Sequence, residues 1–309
     1  MLNLKLETTT KMDFRLKVFY TVALRLNFTK AATELYISQP AVSKHIQELE
    51  ETYKTKLFER NGSKIALTPA GEILLKHTKN IFEIYREIDF DMSSFSKERQ
   101  GLLRLGASTT ISQYIISPVL ARFHQKQKDI KVNLLNGNTE QIENALINKE
   151  IEIGIVEGQS KNQSIKYIPF LKDELVLVCN TKNPFVKQNE ISLDDLKTMK
   201  FVTRERGSGT LEVIEYALKQ VDFKITDLQI EMQLGSTESI KSYLLNSDCF
   251  AFMSIHAVDK ELKNNELIVL DVEKLSIERY FYIITLLGKP DSLSDLFIQN
   301  ISSYYNLEL

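Results

Sequence analysis

The sequence contains few of the residues that build disulfide frameworks or zinc sites. Its 309 residues include two cysteines, Cys179 and Cys249, and four histidines, none at metal-ligand or disulfide spacing. We therefore expect no metal and no bound cofactor. No apolar run approaches the roughly 20 residues that cross a bilayer, and stretch 1–12 lacks the apolar segment of a signal peptide. These absences argue against membrane insertion and export, and favour a cytoplasmic protein.

Motifs of the common enzyme classes are also missing. The sequence has no phosphate-binding loop, no His-Glu-x-x-His and no nucleophile elbow. The run Gly207-Ser208-Gly209 lacks the third glycine of a dinucleotide-binding fingerprint. His45 and His77 lie in helical patterns without a plausible catalytic neighbour. The sequence thus predicts a protein that is not an enzyme.

Charge is distributed unevenly along the chain. The net charge of −2 conceals a basic N-terminal segment, because residues 1–71 contain 11 Lys/Arg and 7 Asp/Glu. The remaining residues contain 28 Lys/Arg and 34 Asp/Glu. A basic segment attracts phosphate within about 10 Å even on an acidic body. The asymmetry favours nucleic-acid binding by the first domain, with chance as the alternative. A chain of this length is expected to comprise about two domains.

Three short helices are predicted in the N-terminal segment. Asp13 is the predicted cap of the first helix and Thr29 that of the second, Lys30 to Leu35. Ser38 followed by Pro40 in the first turn is a strong start signal for the third helix, because proline has no N–H to leave unpaired. The predicted buried stripe of that helix consists of Val42, Ile46, Leu49 and Tyr53.

The opposite face of the third helix carries polar groups near its N-terminus, namely Gln39, Ser43, Lys44 and Gln47. Such groups hydrogen-bond base edges in the major groove, as in a recognition helix. An ordinary solvated face is the alternative. The segment 59–64 with Ile65–Leu67 then predicts a β-hairpin wing whose Arg60 and Lys64 contact phosphate or a minor groove. Three helices and a wing predict a winged helix-turn-helix that binds double-stranded DNA.

Four stretches of the N-terminal segment form a recognisable pattern, namely Phe28–Ala32, Ile37–Ile46, Leu57–Arg60 and Leu67–Gly71. With this pattern the segment resembles the LysR-type family of bacterial transcription regulators. The resemblance implies that the DNA-contacting residues are Thr29, Ser38, Gln39, Pro40, Ser43, Lys44, Arg60 and Lys64. Because Met12 resembles the usual start in this family, Met1–Lys11 is expected to be an extension or the result of a misassigned start codon.

A long linker helix is predicted from Thr68-Pro69 to about Phe95. Its apolar residues alternate at steps of three and four, which is typical of a coiled-coil seam. A helix packed on its own domain would look similar. With the resemblance, the pattern predicts a homodimer, which in this family assembles into tetramers, through Leu74, Ile81, Tyr85, Ile88 and Met92.

From Gly101 onward, strands and helices alternate, which predicts parallel sheets with helical crossovers. The resemblance implies a two-lobed effector domain of the periplasmic-binding-protein kind, so the overall class is α/β. The predicted domains are 12–70 for the winged helix-turn-helix, 71–97 for the linker and 98–309 for the effector domain. Lobe I comprises about 98–175 and 280–309, and lobe II about 176–279. The chain is expected to cross between them near 174–180 and 279–288.

Three loops rich in hydroxyl groups follow predicted strands, each at the start of a helix. Such loops offer N–H groups and hydroxyls to an anionic oxygen; plain helix caps are the alternative for each loop. Residues from these loops are the candidate effector ligands Ser108, Thr109, Thr110, Arg204, Ser208, Gly209, Thr210 and Thr237.

Several stretches of the C-terminal segment resemble the regulators of sulfur assimilation and carbon fixation within the family, and this adds Asn138 and Glu157 as ligands. Leu211 stands where that subgroup usually has Arg, and Asn246-Ser247-Asp248 replaces a glycine-rich loop. Loss of the Arg removes a clamp for carboxylate or phosphate, so a ligand of different charge is also compatible.

The combined interpretation is a DNA-binding regulator whose promoter binding responds to a small anionic or zwitterionic metabolite, with a link to sulfur assimilation as one option. Its partners would be double-stranded DNA, the effector, a second copy of itself and RNA polymerase. A solute-binding protein without a regulatory role is the alternative. Such a protein would have no use for residues 12–70.

Overall fold

The computed structural model describes residues 13–61, 64–93, 95, 100–159, 161–187 and 190–306. Packing separates the chain into two units, one ending at Gly101 and a larger one beginning at Leu102. Each unit has a hydrophobic core built from its own segment. The extension predicted for Met1–Lys11 lies outside the described residues.

The N-terminal unit is a three-helix head followed by a hairpin and a long helix. Its elements are α1 (Phe14–Arg25), α2 (Phe28–Leu35), α3 (Gln39–Tyr53), β1 (Phe58–Asn61), β2 (Lys64–Leu67) and α4 (Pro69–Ser93). The core of the head comprises Val18, Phe19, Val22, Ala23, Ala31, Ala32, Val42, Ile46, Leu49 and Leu57. The small side chains of Ala31 and Ala32 let α2 approach its neighbours closely.

Two local expectations for the head are wrong. The cap of α2 is Asn27, whose side chain accepts from the Lys30 N–H at 2.9 Å, so the helix begins before Thr29. Asparagine at an extended backbone position is a strong N-cap. Tyr53 is 52% exposed rather than buried, because it ends α3 where Lys54 turns the chain with a φ of 52°.

The hairpin forms as the sequence predicts, although its strands are longer. β1 and β2 pair antiparallel from Phe58 opposite Leu67 to Asn61 opposite Lys64. The side chains of Arg60 and Lys64 lie outside the described part of the structure, so their DNA contacts stay predictions.

Gly71 lies against the turn that precedes the hairpin. A Cβ atom added there would lie 2.2 Å from the carbonyl oxygen of Leu57 and 2.9 Å from a methyl group of Leu67. We expect Gly71→Ala to destabilise the head by about 1–3 kcal/mol, because backbone must move to admit the methyl group. Thermal unfolding of the full chain measures this. Glu72→Ala, at the exposed neighbouring position, is the control; equal melting temperatures of the two variants would contradict the expected clash.

Within the described residues, nine strands of the larger unit form one sheet in the order β4-β3-β5-β11-β6-β9-β7-β8, with β10 paired to β6. The strands are β3 (Gly101–Ser108), β4 (Ile130–Gly137), β5 (Ile153–Glu157), β6 (Ile165–Asn180), β7 (Lys200–Arg204), β8 (Gln229–Leu234), β9 (Phe250–Ser254), β10 (Leu267–Leu270) and β11 (Ile277–Leu286). The helices are α5 (Thr109–Tyr114), α6 (Ile116–Lys126), α7 (Thr139–Ile147), α8 (Leu193–Leu196), α9 (Gly209–Gln220), α10 (Thr237–Leu245), α11 (Ile255–Lys263) and α12 (Ser292–Tyr305).

Two long strands, β6 and β11, join the lobes. They pair antiparallel from Leu175 opposite Ile277 to Ile165 opposite Leu286. β5 pairs with one end of β11 and β9 with one end of β6, so each lobe is built on the same two strands. The sheet is consequently mixed: β3–β5, β7–β8 and β7–β9 are parallel as predicted, and the pairs made by the joining strands are antiparallel.

The helix predicted over Ser112–Lys126 is divided into α5 and α6 at Ile115. Pro118 explains the division, because a proline ring clashes with the carbonyl four residues earlier and donates no hydrogen bond. The C-terminal helix α12 packs on the first lobe as predicted, with the Phe297 ring 5.1 Å from that of Phe123. No helix in the described ranges has the length and hydropathy needed to span a membrane.

Candidate functional site

The first candidate site is the N-terminal end of α3. Ser38 caps the helix by accepting from the Ala41 N–H at 3.3 Å, and Pro40 occupies the first turn. Gln39, Pro40 and Lys44 are exposed, and Ser43 is partly exposed. The Gln39 side-chain amide donates to Ser43 Oγ at 2.9 Å. The recognition face therefore presents preorganised polar groups, while Val42, Ile46 and Leu49 hold the helix in the head.

Thr29 also lies on the surface of the head, on α2. Its carbonyl oxygen accepts a hydrogen bond from Thr33 Oγ1, and the cap of α2 is Asn27. The Thr29 hydroxyl is thus not needed to start the helix. Its contact with DNA stays a prediction.

The long helix α4 has an inner and an outer face. Leu74 and Leu75 pack against the core of the head, Thr78 is buried, and the Phe82 ring lies 5.1 Å from Tyr20. The outer face exposes Ile84, Ile88 and Met92 by 55%, 42% and 59%. The exposed apolar residues of α4 therefore do not include Leu74, but they include Ile84 and also Ile73, which is 62% exposed; the predicted seam contained neither of these two isoleucines.

The second candidate site is a cleft between the lobes of the larger unit, with a volume of about 330 Å³. Lobe I contributes residues from the ends of β3 and β4 and from α5 and α7, and lobe II contributes the ends of β7 and β8. The lining residues are Thr109, Gln113, Asn136, Gly137, Asn138, Gln141, Glu205, Gly235 and Ser236. The cleft thus lies where strand ends meet helix starts, the usual ligand position in open α/β sheets.

Glu157 is the centre of a buried network behind this cleft. Ser108 Oγ donates to Glu157 Oε2, and Thr210 Oγ1 donates to Glu157 Oε1 at 3.2 Å. Arg279 Nη1 lies 3.7 Å from the same carboxylate and donates to Thr210 Oγ1 at 2.9 Å. The loops of both lobes are therefore held to each other through one acidic side chain.

Gly209 allows this close approach. A Cβ atom added to Gly209 would lie 2.0 Å from the Glu157 carbonyl oxygen and 2.6 Å from Thr139 Oγ1. Only a residue without a side chain fits between these groups. Gly209, a candidate effector ligand from the sequence, thus lets the two lobes approach each other.

Arg204 is buried at the edge of the cleft, and four of its five N–H groups donate to neighbouring side chains. Its Nε and Nη2 atoms donate to the Glu205 carboxylate at 2.8 and 3.0 Å. It also donates to Thr237 Oγ1 and Thr109 Oγ1, both at 3.3 Å. Thr110 lies beside them, with 3.4 Å between its hydroxyl and that of Thr237. The guanidinium predicted to hold a ligand is therefore paired with Glu205, the more exposed member of the two.

The serine hydroxyls at the helix starts of the three hydroxyl-rich loops do not act as caps. Ser108, Ser208 and Ser236 occupy the N-cap positions of α5, α9 and α10 without a side-chain capping hydrogen bond. Ser208 Oγ is buried and has no hydrogen-bond partner within the described residues. The plain capping role considered from the sequence therefore does not account for these serines.

The candidate ligands fall into two layers. Thr109 and Asn138 line the cleft. The others are buried in the network behind it, namely Ser108, Thr110, Glu157, Arg204, Ser208, Gly209, Thr210 and Thr237. Sequence reasoning missed the lining residues Gln113, Asn136, Gln141, Glu205 and Ser236. Glu205 and Ser236 lie inside loops that the hydroxyl pattern indicated, but nothing in the pattern tells which side chains face the cleft.

A second ion pair, also missed, joins the two long strands. Arg279 Nε lies 2.6 Å from Asp173 Oδ2, and Ser254 Oγ donates to Asp173 Oδ1 at 2.7 Å. The side chains of Arg279 and Asp173 are 1% and 0% exposed, and the two residues are register partners in β11 and β6. Across the described part of the chain, no group of three or more His, Cys, Asp or Glu side chains is placed to hold a metal ion.

Comparison with known proteins gives matches over both units. The model described as LysR substrate binding domain matches residues 96–304, and that of the bacterial regulatory helix-turn-helix protein, lysR family, matches 14–72. The chain is 30% identical over 295 residues to the HTH-type transcriptional regulator CysL of Bacillus subtilis, covering 95% of this chain and 98% of CysL.

Two further proteins are similar. A probable RuBisCO transcriptional regulator of Cyanidioschyzon merolae is 33% identical over 274 residues, covering 88% of this chain and 90% of that one. The regulatory domain of Synechocystis CcmR, solved in complex with 2-PG, has a TM-score of 0.61 and 28% identity. That match covers 67% of this chain and 98% of the domain. The subgroup resemblance predicted from the sequence is confirmed by these relatives.

Proposed function

The chain belongs to the LysR family of transcription regulators, and on that premise we propose that it binds operator DNA as a homodimer under the control of a small metabolite. As a member of this family it is a DNA-binding regulator and not an enzyme. The observation that carries the DNA-binding role is the exposed polar start of α3, backed by the buried stripe that fixes the helix in the head. The alternative of a solute-binding protein has no use for this head.

The recognition face consists of Gln39, Ser43 and Lys44. A glutamine side chain can hydrogen-bond adenine, a lysine can hydrogen-bond guanine, and a serine hydroxyl can bond a donor or an acceptor group of any base. We expect the triple variant Gln39→Ala/Ser43→Ala/Lys44→Ala to prefer operator over scrambled DNA less strongly, by about 1–3 kcal/mol for each side chain–base contact removed. Fluorescence anisotropy with operator and scrambled duplexes of equal length measures the ratio of affinities.

Glu51→Ala is the matched control, because Glu51 is an exposed polar residue near the far end of the same helix. It should leave the operator-to-scrambled ratio unchanged. A triple variant that keeps the full operator preference would refute the assignment of this face, and with it the proposed mode of DNA binding.

The proposed dimer forms through the outer face of α4, namely Ile81, Ile84, Tyr85, Ile88 and Met92. Ile81, Tyr85, Ile88 and Met92 recur at alternating steps of four and three, which matches a coiled-coil seam. Ile84 lies one turn from both Ile81 and Ile88, and Ile84, Ile88 and Met92 are exposed. Two heads joined in this way would read two half-sites of a dyad, about 34 Å apart. Further assembly to a tetramer and contact with RNA polymerase belong to the same proposal, as does a cytoplasmic location.

The proposed effector site is the cleft between the lobes. Its support is the convergence of loops from both lobes on a polar cavity of about 330 Å³, together with similarity to CcmR, whose regulatory domain was solved in complex with 2-PG. The effector is proposed to be a small anionic or zwitterionic metabolite that closes the lobes and alters packing between sensor units. A link to sulfur assimilation is proposed from the likeness to CysL.

A further inference from the structure

We propose that the effector is a small zwitterion of the amino-acid type, and that Glu205 determines its specificity by binding the ammonium group. The inference rests on the proposed effector role of the cleft and names the chemistry of its ligand. It starts from the charge of the cleft wall. Among the described residues that line the cavity, Glu205 alone carries a formal charge, and that charge is negative.

Glu205 stays ionised in this position. Burial raises the pKa of its carboxyl, but the hydrogen bonds and positive charge of Arg204, with smaller contributions from its own backbone N–H and from Asn138, outweigh burial and hold the pKa below its usual value. The Asn138 amide donates to Oε1 at 3.2 Å, in addition to the Arg204 donors. The cleft therefore presents a carboxylate rather than a neutral acid at physiological pH.

The Glu205 carboxylate is 29% exposed and is already well hydrogen-bonded. Oε1 accepts from both Arg204 and Asn138, Oε2 accepts from Arg204 Nε, and the backbone N–H of Glu205 also donates to the carboxylate. Gly235 is the lining residue beside Oε2, and a Cβ atom added there would lie at contact distance, 3.9 Å, from that oxygen. A ligand ammonium group in the cleft would be attracted by the carboxylate charge and would share one of its oxygens with a protein donor.

Arg204, by contrast, is not offered to an anionic ligand. Its side chain is 4% exposed, and its donors point to Glu205, Thr237 and Thr109. An oxyanion would have to displace Glu205 and leave that carboxylate without its partner, which is costly for a partly buried charge. Two like charges in one small cleft would then repel each other.

The remaining wall fits the other end of an amino acid. Gln113, Asn136 and Gln141 supply amide groups, which donate to a carboxylate and accept from an ammonium. The buried Gln113 Oε1 atom has no hydrogen-bond partner within the described residues. The cavity of about 330 Å³ is at the small end of ligand sites. Charge, polarity and size together select a small zwitterion.

The experiment compares molecules that differ only in an ammonium or a hydroxyl group. The thermal midpoint of the full-length protein is measured with glycine and glycolate, L-alanine and L-lactate, L-serine and L-glycerate, together with O-acetyl-L-serine and 2-PG. We expect at least one amino acid to raise the midpoint and its hydroxy-acid partner to have no effect. Glu205→Gln should weaken binding of that amino acid at least tenfold, because the amide keeps the shape but loses the charge.

Glu215→Gln, an exposed glutamate on α9, is the matched control and should bind like the unmodified protein. The proposal is overturned if no amino acid raises the midpoint, or if 2-PG and the hydroxy acids bind and Glu205→Gln strengthens them. Operator binding is measured on the same samples. If the protein binds operator DNA normally and no amino acid affects its thermal midpoint, this inference alone is refuted. If the protein shows no preference for operator DNA, the proposed function is contradicted.

Discussion

Replacing Arg279 with methionine is expected to lower the free energy of unfolding by about 3–5 kcal/mol, because removal of one partner leaves a buried charge uncompensated. Asp173 is fully buried, and its Oδ2 atom lies 2.6 Å from Arg279 Nε. Glu157 would lose its neighbouring cation as well, 3.7 Å away. Urea denaturation followed by far-UV circular dichroism measures the change, since the chain has no tryptophan for fluorescence.

The same two strands supply a matched control. Lys172 and Glu278 form an ion pair of 2.8 Å beside the buried one, with both side chains more than half exposed. Solvent screens such pairs, so Lys172→Met should leave the denaturation midpoint unchanged. The double variant Asp173→Leu/Arg279→Met should be more stable than Arg279→Met alone, because it also removes the Asp173 carboxylate that would otherwise be buried without a partner. Equal effects of Arg279→Met and Lys172→Met would contradict the role of the buried pair.

The double variant Ile84→Glu/Ile88→Glu is expected to convert the dimer into monomers and to weaken operator binding by about 100- to 10,000-fold. Carboxylates on the outer face of α4 would face like charges across the proposed seam. A single head binds one half-site and loses the advantage of an already tethered second head, which is worth a factor of this size. Sedimentation velocity measures the mass, and anisotropy titration measures the affinity.

Ile84→Leu/Ile88→Leu is the control for this seam, because it keeps apolar side chains at the same positions. It should remain dimeric and bind operator like the unmodified protein. Ile84 and Ile88 are exposed within their own chain, so the acidic variant should leave the thermal stability of the monomer intact. A dimeric acidic variant with full operator affinity would rule out the outer face of α4 as the seam.

The head was predictable because its signals are local. Ser38 and Pro40 mark the start of α3 within two residues, and Val42, Ile46 and Leu49 follow at helical spacing. Local signals fail where two residues compete for one role. Asn27 and Thr29 both suit a helix cap, and only the extended backbone of Asn27 places its side-chain oxygen at the Lys30 N–H.

The segments that form the cleft were predictable from the sequence, but the charge that its wall presents was not. Hydroxyl-rich loops at strand ends indicated which segments meet, and Thr109 and Asn138 do line the cavity. The pairing of Arg204 with the adjacent Glu205 depends on side-chain direction, which sequence order leaves open. Arg279 and Asp173 are 106 positions apart, and they meet through the register of two long strands. Such register follows from the whole sheet rather than from either segment.

The shared strands β6 and β11 also set the order in which the chain acquires structure during synthesis. The head is encoded first and closes its core with residues before position 76, so it is complete early. Neither lobe is complete until β11 has emerged, because β5 and β6 both pair with it. The effector domain is therefore expected to fold last and as one unit. A nascent chain lacking residues 277–286 would have a folded DNA-binding head and an effector domain with unpaired strand edges.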